Sequence, residues 1–278
     1  MKAEAKSIGF GFSAGDRFEL TSRKLLEYLP GSGVEQVNIH VGEGAPFREE
    51  LAEFVQACKA LELQVTLSAD ASWLNELLQP HLQVEFISQL ACVSINPVPN
   101  QYPDLQLIQH LVKQTEVLIK LSGDLSQIFE YEQSLKSQSE KAELDKVTLE
   151  LIPQGVEPLV GRFLTAKTLF TEPFLYDSGK LCAYGPAWGE PVYLSRELSA
   201  GESLANLIRD LMDEPIVKAC NAIGPGGLTL LPAFATLASE RFTSPYALCQ
   251  RMEALAATNA LEVEMSLSLL ENLMSEAE

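Results

Sequence analysis

Two rhythms take turns along the first half of the chain. Short runs alternate apolar and polar residues, and between them apolar residues recur at helical spacing. The short runs are Ser7–Ser13, Val34–Val41, Leu63–Asp70, Leu90–Pro97, Thr115–Ser122 and Lys146–Pro153. They return about every 30 residues, the length of a strand–helix–strand unit. The pattern predicts six βα units and a parallel sheet. Helices are expected after Thr21, across "FREELAEFVQACKALE", across "SWLNELLQPHL" up to Pro80, after an Asp104 cap, and over "SQIFEYEQSLKSQSEKAEL".

The polar members of the strands choose between two parallel-sheet architectures. They are Asn38 and His40; Thr66, Ser68 and Asp70; Ser94 and Asn96; Lys120 and Ser122; Thr148 and Glu150. A doubly wound sheet is covered by helices on both faces, so its strands read apolar throughout. A barrel or half-barrel has a face of its own that the helices leave uncovered. The expected fold is therefore α/β: a partial (βα)6 barrel of the TIM type over residues 1–155. After Pro153 the rhythm stops. Residues 156–278 are expected to form a small α+β and helical region packing on the barrel, with a hairpin at "DSGK" and a helix stop at Gly224–Gly227.

Composition narrows the partners. Lys and Arg total 20 against 38 Asp and Glu, a net charge of −18. Such a surface repels nucleic acid phosphates and anionic membranes. No apolar run reaches the ~20 residues of a membrane span, and the start of the chain shows no signal peptide. A cytoplasmic protein is expected, with no nucleic acid or membrane partner. Cys58, Cys92, Cys182, Cys220 and Cys249 are scattered without CxxC spacing, which reads as reduced, mostly buried thiols and no metal site.

Candidate chemistry gathers at the carboxyl ends of the strands, where parallel α/β folds place their sites. The ligand-binding candidates are Gly42, Glu43, Gly44, Ser68, Asp70, Ser94, Asn96 and Ser122. The catalytic candidates are His40, Asp70, Lys120 and Glu150. Lys120 and Glu150 lie on consecutive strands and suit either an interior ion pair or a lysine nucleophile. His40 is either a satisfied interior histidine or a group titrating near neutrality against Glu43 or Asp70. "GEGAP" (42–46) reads equally as a strand-to-helix turn. Gly9, Gly11 and Gly15 lack the spacing and the helix opening of a dinucleotide site.

The order of these features resembles the radical SAM superfamily. "HVGEGAPFREELAEFVQACKALELQVTLSADASWL" is similar to that family's "GGEP" strand end, helix and "TNG" strand, and "CVSINP" stands where "VSLDG" would. "LYDSGKLCAYG" and the helix after it resemble the C-terminal part of some members. The resemblance spans residues 7–228 as an order of degenerate motifs. It implies a (βα)6 partial barrel and residual S-adenosylmethionine contacts around Gly42–Pro46. The chain departs where the chemistry would start, because no cysteine precedes Cys58 and an iron–sulfur cluster needs neighbouring thiolates. The resemblance thus implies a cluster-less binding or companion subunit without a cofactor, for a peptide, a partner protein or a small amine or sulfonium metabolite. The alternative is a metal-independent lyase or isomerase using the polar barrel interior.

Overall fold

The structure, a computed structural model, describes residues 6–13, 18–42, 44–46, 49–77, 84–96, 102–121, 125–151, 172–183, 185, 195–198, 201–240, 242 and 245–276. The chain divides into two compact units, one of Gly9–Gly155 and one of Val156–Glu278 with Met1–Ile8.

The first unit carries β1 (Ser7–Phe12) from Gly9 onward, and β2 (Gln36–Val41), β3 (Gln64–Asp70), β4 (Cys92–Asn96), β5 (Glu116–Leu121) and β6 (Val147–Leu151). They lie side by side in the order β6-β5-β4-β3-β2-β1, and the pairs from β2 to β6 are parallel. Between them come α1 (Phe18–Tyr28), α2 (Glu49–Ala60), α3 (Ala71–Leu77) with a 3-10 turn (Val84–Gln89), α4 (Leu105–Val112), and α5 (Leu125–Gln138) with α6 (Lys141–Leu144). The strand order never reverses. Parallel crossovers are right-handed, so unbroken consecutive order puts every connecting helix on the same face. This is the winding of a barrel, here a partial one, and a doubly wound sheet would need a switch point.

The strand pattern follows from that winding. Val37, Ile39, Val65, Leu67, Val93, Ile95, Val117 and Ile119 are each at most 1% exposed. They form the helix-side core together with Leu51, Phe54 and Val55 of α2 and Leu107, Ile108 and Leu111 of α4. Burial of each such side chain stabilises the fold by about 1.5–3 kcal/mol. At β1 the core is aromatic. Phe18 lies between Phe12 (ring centroids 4.9 Å), Phe10 (5.5 Å) and Phe54 (6.4 Å).

Local signals decide the helix ends, with some surprises. Asp104 caps α4 as expected, its Oδ1 accepting from the Gln106 amide at 2.9 Å. Thr21 does not cap α1. The helix starts at Phe18, and Thr21 is buried inside it.

The second unit contains a ribbon of β7 (Phe174–Tyr176), β8 (Lys180–Cys182) and β9 (Ser195–Glu197), paired antiparallel. The "DSGK" turn closes β7–β8, with Gly179 at φ +85° and its amide donating to Tyr176 O at 2.8 Å. The helices are α7 (Leu204–Met212), α8 (Pro215–Ile223), α9 (Pro225–Leu228), a 3-10 segment (Pro232–Ser239), α10 (Pro245–Thr258) and α11 (Ala260–Glu276). Gly224, at φ +78°, ends α8. The expected stop across Gly224–Gly227 is shorter than that, because Pro225 fits the first turn of a helix and opens α9 at once. Among the described residues, no helix is long and apolar enough to cross a membrane.

Candidate functional site

The face of the sheet turned away from the unit's own helices carries the polar parity. Register places its side chains in rows. Asn38 lies beside Thr66, and Thr66 beside Cys92. His40, Ser68, Ser94, Leu118 and Thr148 form the next row. Asp70 then pairs with Asn96, and Lys120 with Glu150.

The first rows are knitted by side-chain hydrogen bonds. Asn38 Oδ1 accepts from Thr66 Oγ1 at 2.5 Å and from Gln36 Nε2 at 2.6 Å. Ser68 Oγ donates to Asn96 Oδ1 at 2.8 Å. These bonds satisfy groups that would otherwise cost free energy in a half-buried position. They also tie Asn96 to Ser68 as a bonded floor across β3 and β4.

Two groups beside that floor are unspent. Ser94 Oγ is buried and has no hydrogen-bond partner among the described residues. Lys120 is half-buried, and among the described residues no ion pair involves it. The expected Lys120–Glu150 interior ion pair is therefore not formed. The two are register partners, yet Glu150 is exposed near the sheet's edge at β6 and stays in water. Solvation of a carboxylate competes successfully with a pair that would have to be desolvated.

His40 lies in the same electrostatic neighbourhood. Burial, with a smaller push from the Lys120 ammonium, lowers its pKa from 6.5 to about 4. At neutral pH it is an uncharged imidazole, not the group titrating near neutrality that the sequence left open. Sequence reasoning missed Cys92, although "CVSIN" gives it the parity of Ser94 and Asn96. Its thiol is raised, first by burial and then by Glu116, while a Leu118 backbone hydrogen bond and Lys120 oppose the shift. A raised pKa keeps Cys92 a thiol, so it is a poor nucleophile.

The remaining candidates have structural tasks. Asp70 Oδ1 accepts from the Trp73 amide at 2.7 Å and from Ser72 Oγ at 2.6 Å, which makes it the cap of α3. Replacing Asp70 with alanine is expected to cost about 0.5–2 kcal/mol. Asparagine, which keeps the acceptor, is expected to cost a few tenths at most. Denaturant midpoints check this, and equal losses in both variants would contradict the cap. Gly42 is buried, and a Cβ there would lie 3.1 Å from Phe12 O, so its smallness serves the approach of β1 to β2. Gly44 supplies a turn at φ +71°. The Ala45 amide closes that turn on Gly42 O, and Ala45 O accepts from Trp73 Nε1 at 3.0 Å. Glu43 and Ser122 lie outside the described residues.

The five thiols are free. Among the described residues, no group of His, Cys, Asp and Glu side chains could hold a metal ion.

No family model matches the chain, and no curated protein matches it. The solved structures that bear a faint likeness include two enzymes from Thermotoga. A noncanonic maltogenic alpha-amylase from Thermotoga neapolitana is 10% identical, over 62% of this chain and 67% of that one, at a TM-score of 0.26. A truncated 3-deoxy-D-arabino-heptulosonate 7-phosphate synthase from Thermotoga maritima is 14% identical, over 91% and 88%, at a TM-score of 0.31. Likeness at these scores carries no argument, and the partial-barrel fold rests on the unbroken order of β1 to β6.

Proposed function

We propose that the chain is a cluster-less binding protein whose ligand sits on the face of the sheet turned away from the unit's own helices, against Ser94 and Lys120. The observation that carries this reading is the pair of unspent groups on the neighbouring strands β4 and β5, a buried hydroxyl and a half-buried ammonium. Together they offer an anchor for a carboxylate, one donor being charged. The ligand class is a zwitterionic metabolite, its carboxylate on Lys120 and its amine or sulfonium toward the acidic rim at Asp70 and Glu150. The degenerate radical SAM resemblance makes S-adenosylmethionine and its relatives the first to test, and a companion-subunit role follows from the same reading. The free thiols fit a reducing, cytoplasmic setting.

The lyase or isomerase alternative has less behind it. A general acid–base group works best with a pKa near the operating pH. His40 at about 4 is far below it, Cys92 is shifted upward, and Asp70 caps a helix.

Titration calorimetry tests the proposal with S-adenosylmethionine, S-adenosylhomocysteine and methionine. Binding of at least one is expected. Lys120→Met should weaken it about tenfold or more, the loss of a charge-assisted bond, and Ser94→Ala by a smaller factor. Asp70→Asn, which removes one rim charge but keeps the carboxylate anchor, should weaken it by a smaller factor than Lys120→Met. No heat with any of the three, or equal affinity in the Lys120→Met variant, would sink it.

A further inference from the structure

Helix α11 (Ala260–Glu276) has two apolar faces. One is spent inside its unit: Val263, Leu267 and Leu270 are buried, and Ser266 Oγ accepts from the Ala233 amide at 3.3 Å. The other faces water. Leu261 is 72% exposed, Met265 67% and Leu269 48%. Positions four apart advance by about 40° around a helix, so these three form one continuous stripe. Glu262 and Glu264, both exposed, fall on its two sides. Single exposed apolar residues are ordinary on protein surfaces. A stripe running over two turns and bracketed by acids is an amphipathic docking pattern.

Charge decides the occupant. From Met252 to Glu278 the chain carries Glu253, Glu262, Glu264, Glu271, Glu276 and Glu278 and no Lys, Arg or His. A second copy of this helix would oppose glutamates to glutamates, which like-charge repulsion disfavours. An anionic membrane is repelled in the same way. A partner helix with an apolar stripe flanked by Lys or Arg would cover the leucines and pair the glutamates at once. We infer that the outer face of α11 is the docking surface for a basic amphipathic helix of a partner protein. This inference stands apart from the sheet-face ligand site and uses none of its residues.

The test uses the full chain and two synthetic helical peptides, one of leucine and lysine and its charge-reversed counterpart of leucine and glutamate. The triple variant Leu261→Gln, Met265→Gln, Leu269→Gln removes the stripe without changing charge. All three positions are exposed, so the fold should be kept, and circular dichroism verifies this. Fluorescence anisotropy should show the lysine peptide binding the parent, at least tenfold more weakly to the triple variant, and the glutamate peptide not binding. Sedimentation should show no self-association that the triple variant abolishes. Equal binding of the lysine peptide to parent and variant would mean bulk charge attraction alone. That result, or stripe-dependent self-association, would overturn the inference.

Discussion

Replacing Phe18 with alanine is expected to destabilise the barrel unit by about 3–5 kcal/mol, the range for a buried phenylalanine. Phe18 is fully buried at the start of α1 and meets three rings, Phe10, Phe12 and Phe54. Phe10 and Phe12 belong to β1, and Phe54 to α2. Removing the ring therefore opens a cavity where strand and helices meet. Aromatic pairs add about 0.5–1.5 kcal/mol beyond area burial, which puts the expected loss toward the upper part of the range. Phe129 supplies the control. It is 59% exposed on α5, and its replacement with alanine should change stability by about 0.5 kcal/mol or less. Chemical denaturation of both variants decides the matter. If Phe18→Ala costs no more than Phe129→Ala, the aromatic cluster is not a core.

The second large effect is a pH dependence. In the unfolded chain His40 titrates near 6.5, and in the fold near 4. Between those values the unfolded state binds more protons than the folded one. Stability therefore rises with pH across that window. The contribution is fully present above pH 6.5 and is lost as pH falls to 4, an amount of about 3 kcal/mol at 1.36 kcal/mol per pKa unit. The His40→Gln variant should lack this slope, so the difference between its curve and the parent's isolates the group from the many carboxylates that also titrate. Burial is the larger cause and Lys120 the smaller. Lys120→Met should accordingly raise the His40 pKa without restoring 6.5. Parallel curves for parent and His40→Gln between pH 4 and 6.5 would contradict the burial of this imidazole.

Much of the barrel was legible because winding and strand pattern are the same fact. Val37, Ile39 and Val41 must meet helices, so Asn38 and His40 must face away from them, and period two reports this directly. The face was therefore readable, but the assignments on it were not. Asp70 looks like a lumenal acid in sequence and is a helix cap in the fold, because an acid ending a strand and opening a helix satisfies both descriptions. Gly42 looks like room for a ligand and is room for Phe12 O. Whether Lys120 reaches Glu150 depends on the solvent exposure of the neighbouring strand, which parity does not encode. Cys92 was passed over as one of several apolar-context thiols, although its parity matched Ser94. In the second unit helical character was readable over 203–223 and along the tail, but its divisions were not: Pro215 opens α8 after α7, and Pro225 restarts a helix where a stop was expected.

The reading stands or falls on what contacts Ser94 and Lys120. A crystal structure of the full chain grown with S-adenosylmethionine answers this most directly. The account predicts density for a ligand carboxylate, or for ordered water in its absence, within hydrogen-bond distance of Ser94 Oγ and Lys120 Nζ. Finding Ser94 Oγ bonded within the protein and Lys120 Nζ paired with a protein carboxylate, with no space left above the Ser68–Asn96 floor, would contradict it.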